Sequence, residues 1–331
     1  MVGIVLAMFA ATMFAVSSVT ARLAYRAGEN AFTLSTLRIG FAAILLSAAA
    51  GSRRRPPRMP LWRAAYPVVL GATFFAGQSL FLFEALARMP VSTVVLAVYT
   101  YPSMALLLGV ALGRDRLTAP KVAAVGASFA GVALVLAAGL PGVTASGVAF
   151  ALASAMSLAI FVVLTGPQIH TRDPLGYMAI VLVGATGSLF AVGTATGSLN
   201  LRLTAAAWGW SALFGIILSA GAMAYVAAIK MIGPSRAAIA DTFGPVAALF
   251  LAALAFGERP TSLQLVGGAM VVLAVALVVS DRGLERPAGP ALSERRSPAP
   301  DTPPPHPSPA TPARTGPSPT RPVHRGVFRP R

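Results

Sequence analysis

"GPVAALFLAALAFGERPTSLQLVGG", Gly244 to Gly268, is an apolar run broken by one polar knot, Gly257-Glu258-Arg259-Pro260-Thr261-Ser262. Upstream, "YPSMALLLGVALGRDRLTAPKVAAVG", Tyr101 to Gly126, has the same plan. A proline opens each, an acid–Arg pair interrupts it, a threonine follows, and a second apolar run closes it. Sliding residues 85–136 onto 228–279 needs no gap and sets Ser92 on Ser235, Pro102 on Pro245, Asp115 on Glu258, Arg116 on Arg259 and Thr118 on Thr261. The chain therefore reads as a repeat.

The rest of the sequence sets the environment of that repeat. Of 331 residues, 56% are hydrophobic and only 11% charged, against about 25% charged in soluble domains. Ten apolar runs, at 2–22, 31–50, 65–87, 91–112, 119–139, 146–165, 174–195, 207–229, 236–256 and 261–280, approach the roughly 20 residues a helix needs to cross a bilayer. In lipid only helices or closed barrels satisfy their backbone groups. These runs are too long and too continuously apolar for barrel strands. The expected fold is an all-α integral membrane protein of about ten transmembrane helices. Five helices per repeat is an odd number, so the two halves are expected in opposite orientations. The expected boundaries are 1–141 for the first repeat, 142–283 for the second, and 284–331 for a Pro- and Arg-rich tail that cannot bury a core and is expected to be disordered. The N-terminus starts apolar with no basic region ahead of it, which predicts a first span and not a cleaved signal.

The net charge of +16 is placed by topology, not by a nucleic-acid surface. With the N-terminus inside, inner turns carry Arg53, Arg54, Arg55, Arg58, Arg63, Arg114, Arg116, Lys121, Arg172, Lys230 and Arg236, and outer turns only Arg22, Arg26, Arg88, Arg202 and Arg259. That bias orients both termini to the cytoplasm. No nucleic-acid partner is expected. With no cysteine, and with His170, His306 and His324 scattered, neither disulfides nor a Cys- or His-built metal centre is expected, and no cofactor.

"FTLSTLRIGFAAILL" (Phe32 to Leu46), "FEALARMPVSTVVLAVYTYPSMALLLG" (Phe83 to Gly109) and "LAFGERPTSLQLVGGAMVVLAVALVV" (Leu254 to Val279) resemble the EamA-type transporters of the drug/metabolite transporter superfamily. The likeness spans residues 1 to about 283. The sequence departs from that pattern at Phe14-Ala15 and at Gly113-Arg114-Asp115, which blurs the subfamily. The resemblance implies a ten-helix inner-membrane carrier, in many members an exporter of amino acids and other small metabolites. The expected partners are then a small-molecule substrate, the lipid bilayer and protons as coupling ion, with a homodimer left open. An enzyme acting on lipids is disfavoured, since neither Gly-x-Ser-x-Gly nor a phosphate-binding loop occurs. A sensor or scaffold without transport remains the alternative.

Ionisable groups inside spans are costly and so are functional candidates. Arg38 reads as an anchor for a carboxylate or as a structural pair. Glu84 reads as an interfacial pair with Arg88, four residues on, or as an outer gate with Arg38. Asp241, expected at the depth of Tyr225, reads as a proton carrier or as a partner of Lys230 or Arg236. Pro102 and Pro245 are expected to kink their helices and border the cavity. Gln78 and Tyr99 complete the candidate lining; Tyr101, two residues from Tyr99, is expected to point elsewhere. Gly109/Gly113 and Gly193/Gly197 are expected to be helix-packing pairs.

Overall fold

The computed structural model describes residues 1–52, 61–114, 116–137, 142–169, 173–257 and 261–284. The basic cluster from Arg53 to Arg58, the knot residues Asp115, Glu258 and Arg259, and the tail from 285 lie outside the described residues. Among those described, all regular structure is helical.

The chain runs α1 (Val2–Arg26), α2 (Ala31–Gly51), α3 (Leu61–Leu70), a π turn (Gly71–Phe75), α4 (Ala76–Arg88), α5 (Val91–Val98), α6 (Tyr101–Ala111), α7 (Ala119–Ala137), α8 (Ala145–Ile169), α9 (Pro174–Thr196), α10 (Ala205–Ile232), α11 (Pro234–Asp241), α12 (Phe243–Phe256) and α13 (Ser262–Leu284). Among the described residues, eight helical runs are long and apolar enough to cross a bilayer; the apolar stretches Phe243–Phe256 and Ser262–Leu277 are shorter. Large apolar side chains such as Ile44, Phe250, Leu254 and Leu273 stand more than 60% exposed. Such an outer surface suits hydrocarbon, where exposure of apolar area carries no hydration penalty.

The prolines do more than kink. A proline clashes with the carbonyl four residues before it and leaves that carbonyl without its helical donor. Four before Pro102 is Val98, the last residue of α5; four before Pro245 is Asp241, the last residue of α11. Each expected continuous helix is therefore two helices, interrupted at Tyr99–Thr100 and at Thr242. The third run is also irregular: Pro67 lies within α3 and a π turn follows it. π turns of this kind accommodate one extra residue within a helix.

Thr261 and Gln264 start α13 as a capping box. The Thr261 hydroxyl accepts from Gln264 N (3.2 Å), and the Gln264 side chain accepts from Thr261 N (3.0 Å). Part of the polar knot is thus a helix start, made by threonine and glutamine. Of the expected glycine pairs only one member of each packs. Gly109 is buried and Gly193 lies tight on Phe32. Gly113 and Gly197 hold positive φ of 67° and 68° and end helices instead, a conformation that costs other residues more.

α1 packs along α10, α4 along α8, α2 along α9 and α7 along α13. α10 also meets α2, while α3 and the π turn meet α9; α1 meets α11 and α12, while α8 meets α5 and α6. Small residues permit the closest approaches. A Cβ on Gly131 would lie 2.6 Å from the Gly267 carbonyl, so α7 and α13 touch backbone to backbone. Ala124 and Ala274 pack together with Leu106 at a second point between the same helices.

One end of the bundle gathers the turns 27–30, 88–90, 142–144 and 197–204. There Asn30 Nδ2 donates to Ser198 O (3.0 Å), Asn200 N to the Thr33 hydroxyl (3.0 Å), and Arg22 Nη2 to Met89 O (3.1 Å). At the opposite end the Tyr66 hydroxyl donates to Leu164 O (3.0 Å) and Arg114 Nη1 to Val163 O (3.1 Å). Strict alternation of turns between two ends is what spanning helices require.

Candidate functional site

The two interruptions meet where α5 and α12 pack together. The Tyr99 hydroxyl donates to the carbonyl oxygen of Asp241 (3.4 Å), the acceptor that Pro245 strips of its helical donor. Gly244 makes room for it: a Cβ there would overlap the Tyr99 hydroxyl. Thr100, fully buried, turns its own hydroxyl back onto Ala97 O (2.7 Å) and so satisfies backbone on the α5 side of the other break.

Asp241 Oδ1 is buried and has no hydrogen-bond partner among the described residues. Tyr99 and Tyr225 lie within electrostatic reach of this carboxylate, as expected for Tyr225. Tyr101 joins them. Its ring meets that of Tyr99 edge to face, with centroids 6.1 Å apart. The expectation that the two tyrosines point apart is corrected here, because the helix is interrupted between them and the 100° step per residue does not apply. Tyr99 thus sits with Asp241. Lys230 and Arg236, the expected counter-charges, are exposed.

A second polar cluster lies toward the end that carries turns 27–30 and 88–90. Arg38, 5% exposed, donates from Nη2 to the Ser79 hydroxyl (2.8 Å) and lies over the Phe83 ring at 4.6 Å. Glu84 pairs with Arg88 on its own helix. The Arg38–Glu84 gate is thus not what the structure brings together; Arg38 turns to serine and an aromatic face, and Glu84 is held by the arginine one turn on. Gln78 is buried, and its carbonyl accepts from Ser154 (2.9 Å).

Sequence reasoning missed Glu29 and Tyr25. Glu29 sits in the α1–α2 turn yet is 5% exposed. Its Oε2 accepts from the Ser211 hydroxyl of α10 (2.8 Å), and its Oε1 is buried without a partner among the described residues. Burial pushes this carboxyl up from 4.5 to about 7, against the smaller opposing effect of the Ser211 hydrogen bond. The Tyr25 hydroxyl donates to Phe83 O (2.7 Å) and lies within the fields of Glu29, Arg38, Glu84 and Arg88. A turn flanked by Gly28 and Asn30 looks solvated in a sequence; only the neighbouring α10 buries it. Among the described residues no group of three or more His, Asp or Glu side chains could hold a metal.

The model of the EamA-like transporter family matches residues 1–137 and again 145–280. The chain belongs to the EamA-like transporter family. This EamA-like chain thus has two family repeats, and the family is one of membrane transporters of small molecules. A solved crystal structure covers 82% of this chain and 97% of its own length at 21% identity and a TM-score of 0.59, a likeness of fold. No curated protein matches the chain.

Proposed function

We propose that this chain is a secondary carrier that moves small organic solutes, amino acids or related metabolites, outward across the inner membrane by alternating access. On this reading ten spans form two inverted halves, 1–141 and 142–283, with both termini in the cytoplasm. The observation that carries it is the pair of proline-set interruptions, at matched positions of the two repeats, meeting at the Tyr99–Asp241 bond. Broken helices at mid-membrane are where carriers of inverted-repeat design bind solute and coupling ion.

The packing supports the inversion. Counting α3, the π turn and α4 as the third span, α5–α6 as the fourth and α11–α12 as the ninth, advancing each member of a pair by five spans turns α1·α10 into α8·α4. It leaves α2·α9 and α7·α13 unchanged. It also carries the Gly131·Gly267 contact onto Ala274·Ala124. A two-fold axis between halves of opposite direction has that property. The cytoplasmic placement of the termini rests on the excess of Lys and Arg in the corresponding turns.

Asp241 is the proposed proton carrier, because its carboxylate lies at the meeting of the two interruptions with Oδ1 buried and without a hydrogen-bond partner among the described residues. The test is flux of a panel of labelled amino acids in proteoliposomes with an imposed pH gradient. Asp241→Asn abolishes proton-driven flux and leaves substrate binding intact. Unchanged proton coupling in that variant overturns the assignment, and no flux of any solute by the wild type overturns the carrier reading.

A further inference from the structure

Glu29 is an acid in a turn that the fold does not leave in water. Its neighbours Gly28 and Asn30 are exposed, while Glu29 itself is buried against α10. Gly28 turns the chain with a φ of 94°. Two side-chain bonds then tie this turn to the start of α10. The hydroxyl of Thr204, the N-cap of that helix, donates to Ala27 O (3.4 Å), and the Ser211 hydroxyl donates to Glu29 Oε2 (2.8 Å).

A buried ionised carboxylate is stable only with donors on both oxygens or a cation beside it. Glu29 has the one donor, Ser211, and Oε1 has none among the described residues. Nor do the surrounding elements supply a cation. Tyr25 of α1 shares its field, and Arg22 of the same helix bonds Met89 O. Arg38 of α2 is engaged with Ser79 and the Phe83 ring, and Glu84 and Arg88 of α4 with each other. Arg26 at the end of α1 and Arg202 in the turn before α10 are exposed. α10 itself carries no charged side chain before Lys230. The neutral, protonated carboxyl suits this place; the ionised one is better solvated in the water that already reaches Gly28 and Asn30. The turn therefore has two stable positions, and a proton chooses between them.

The far part of α10 has a matching arrangement. Tyr225 lies fourteen residues after Ser211 on this one helix, which is close to four turns, about 21 Å on and nearly the same face. It stands in the field of Asp241, whose Oδ1 is likewise buried without a partner among the described residues. One face of one helix thus meets an incompletely satisfied carboxylate near each end. We propose that Glu29 is a second proton site, open to the water at its own end of the bundle, and that its protonation latches the 27–30 turn onto α10 while loss of the proton releases it. On the carrier reading this is the outer face, and Glu29 exchanges protons there as Asp241 does toward the inside. That place in the cycle rests on the carrier reading; the latch does not.

The latch is therefore measured apart from flux. Full-length protein in nanodiscs is followed by hydrogen–deuterium exchange at pH 5 and pH 8, with rates corrected for intrinsic exchange. In the wild type the amides of residues 27–30 and of the first turns of α10 are expected to exchange at least tenfold faster at pH 8. The midpoint lies near about 7, where burial holds this carboxyl. Glu29→Gln exchanges slowly at both pH values, whereas Asp241→Asn keeps the pH step. Ser211→Ala keeps the acid and loses its bond, so it exchanges faster than the wild type at pH 5 with a smaller step; it serves if Glu29→Gln does not fold. No step in the wild type, a step that survives in Glu29→Gln, or an unchanged rate and step in Ser211→Ala overturns the latch. In proteoliposomes Glu29→Gln flattens the dependence of flux on external pH, and an unchanged dependence removes Glu29 from the cycle. A latch that titrates in a protein moving no solute leaves the site standing and removes the carrier reading.

Discussion

Replacing Glu29 by glutamine isolates the cost of a buried charge. The carboxyl sits at about 7 in the folded protein against 4.5 in its ordinary state, so the folded chain holds this proton more tightly than the unfolded one. The stability linked to the protonated form is complete below about pH 4.5 and is lost as pH rises to about 7. The shift corresponds to about 3 kcal/mol at 1.36 kcal/mol per pH unit. Glutamine keeps an acceptor for the Ser211 hydroxyl and has no charge to desolvate. In detergent, thermal unfolding followed by the fluorescence of Trp208 and Trp210, which lie just before Ser211 on α10, therefore changes with pH in the wild type. Its Tm falls by several degrees more than that of Glu29→Gln between pH 5 and pH 8. The two proteins agree near pH 5, and the variant is the more stable by up to about 3 kcal/mol at pH 8. Every other ionisable group is common to both proteins, so the rest cancels in the difference. Parallel Tm profiles across this range refute the burial of an ionised Glu29.

Two further substitutions test the helix contacts. Gly244→Ala drives a methyl into the Tyr99 hydroxyl and destabilises by about 1–3 kcal/mol, as overpacking does; adding Tyr99→Phe removes the obstructing atom and restores most of the Tm, and failure of that rescue rejects the seat. Gly267→Ala sets a methyl against the Gly131 carbonyl and costs at least about 2 kcal/mol, whereas Gly126→Ala, with nothing within 4 Å of the added atom, is neutral or better by thermal unfolding.

What could be read from the sequence follows from the range of each force. Lipid solubility is a property of long runs, so the helices showed in hydropathy alone. The clash of proline with the fourth residue before it is local, so Pro102 and Pro245 marked their helices, and counting back four would have found Val98 and Asp241 as the ends. The same count would have freed Tyr101 from the helical wheel that separated it from Tyr99. The capping box was equally legible as Thr261-Ser-Leu-Gln264. Glu29 was not, because its burial comes from a helix some 180 residues away. Nor was the choice of Arg38 between Ser79 and Glu84, which depends on the rotation of α4 after the π turn.

That π turn keeps the third span in register. Gly71, at its start, lies against the Val181 carbonyl, and Gly215 lies 3.1 Å, by an added Cβ, from the Arg38 carbonyl. Arg38 and Val181 are 143 positions apart, as are Pro102 and Pro245, yet Gly71 and Gly215 are 144 apart. From Gly71 to Pro102 the first repeat therefore holds one more residue than the second does from Gly215 to Pro245, and the π turn at Gly71–Phe75 can hold it. Inserted in a regular helix, one residue swings all that follows by about 100°; coiled into a wider turn, it leaves both flanking faces in register. The gapless echo between the two halves, residues 85–136 onto 228–279, starts only past this turn.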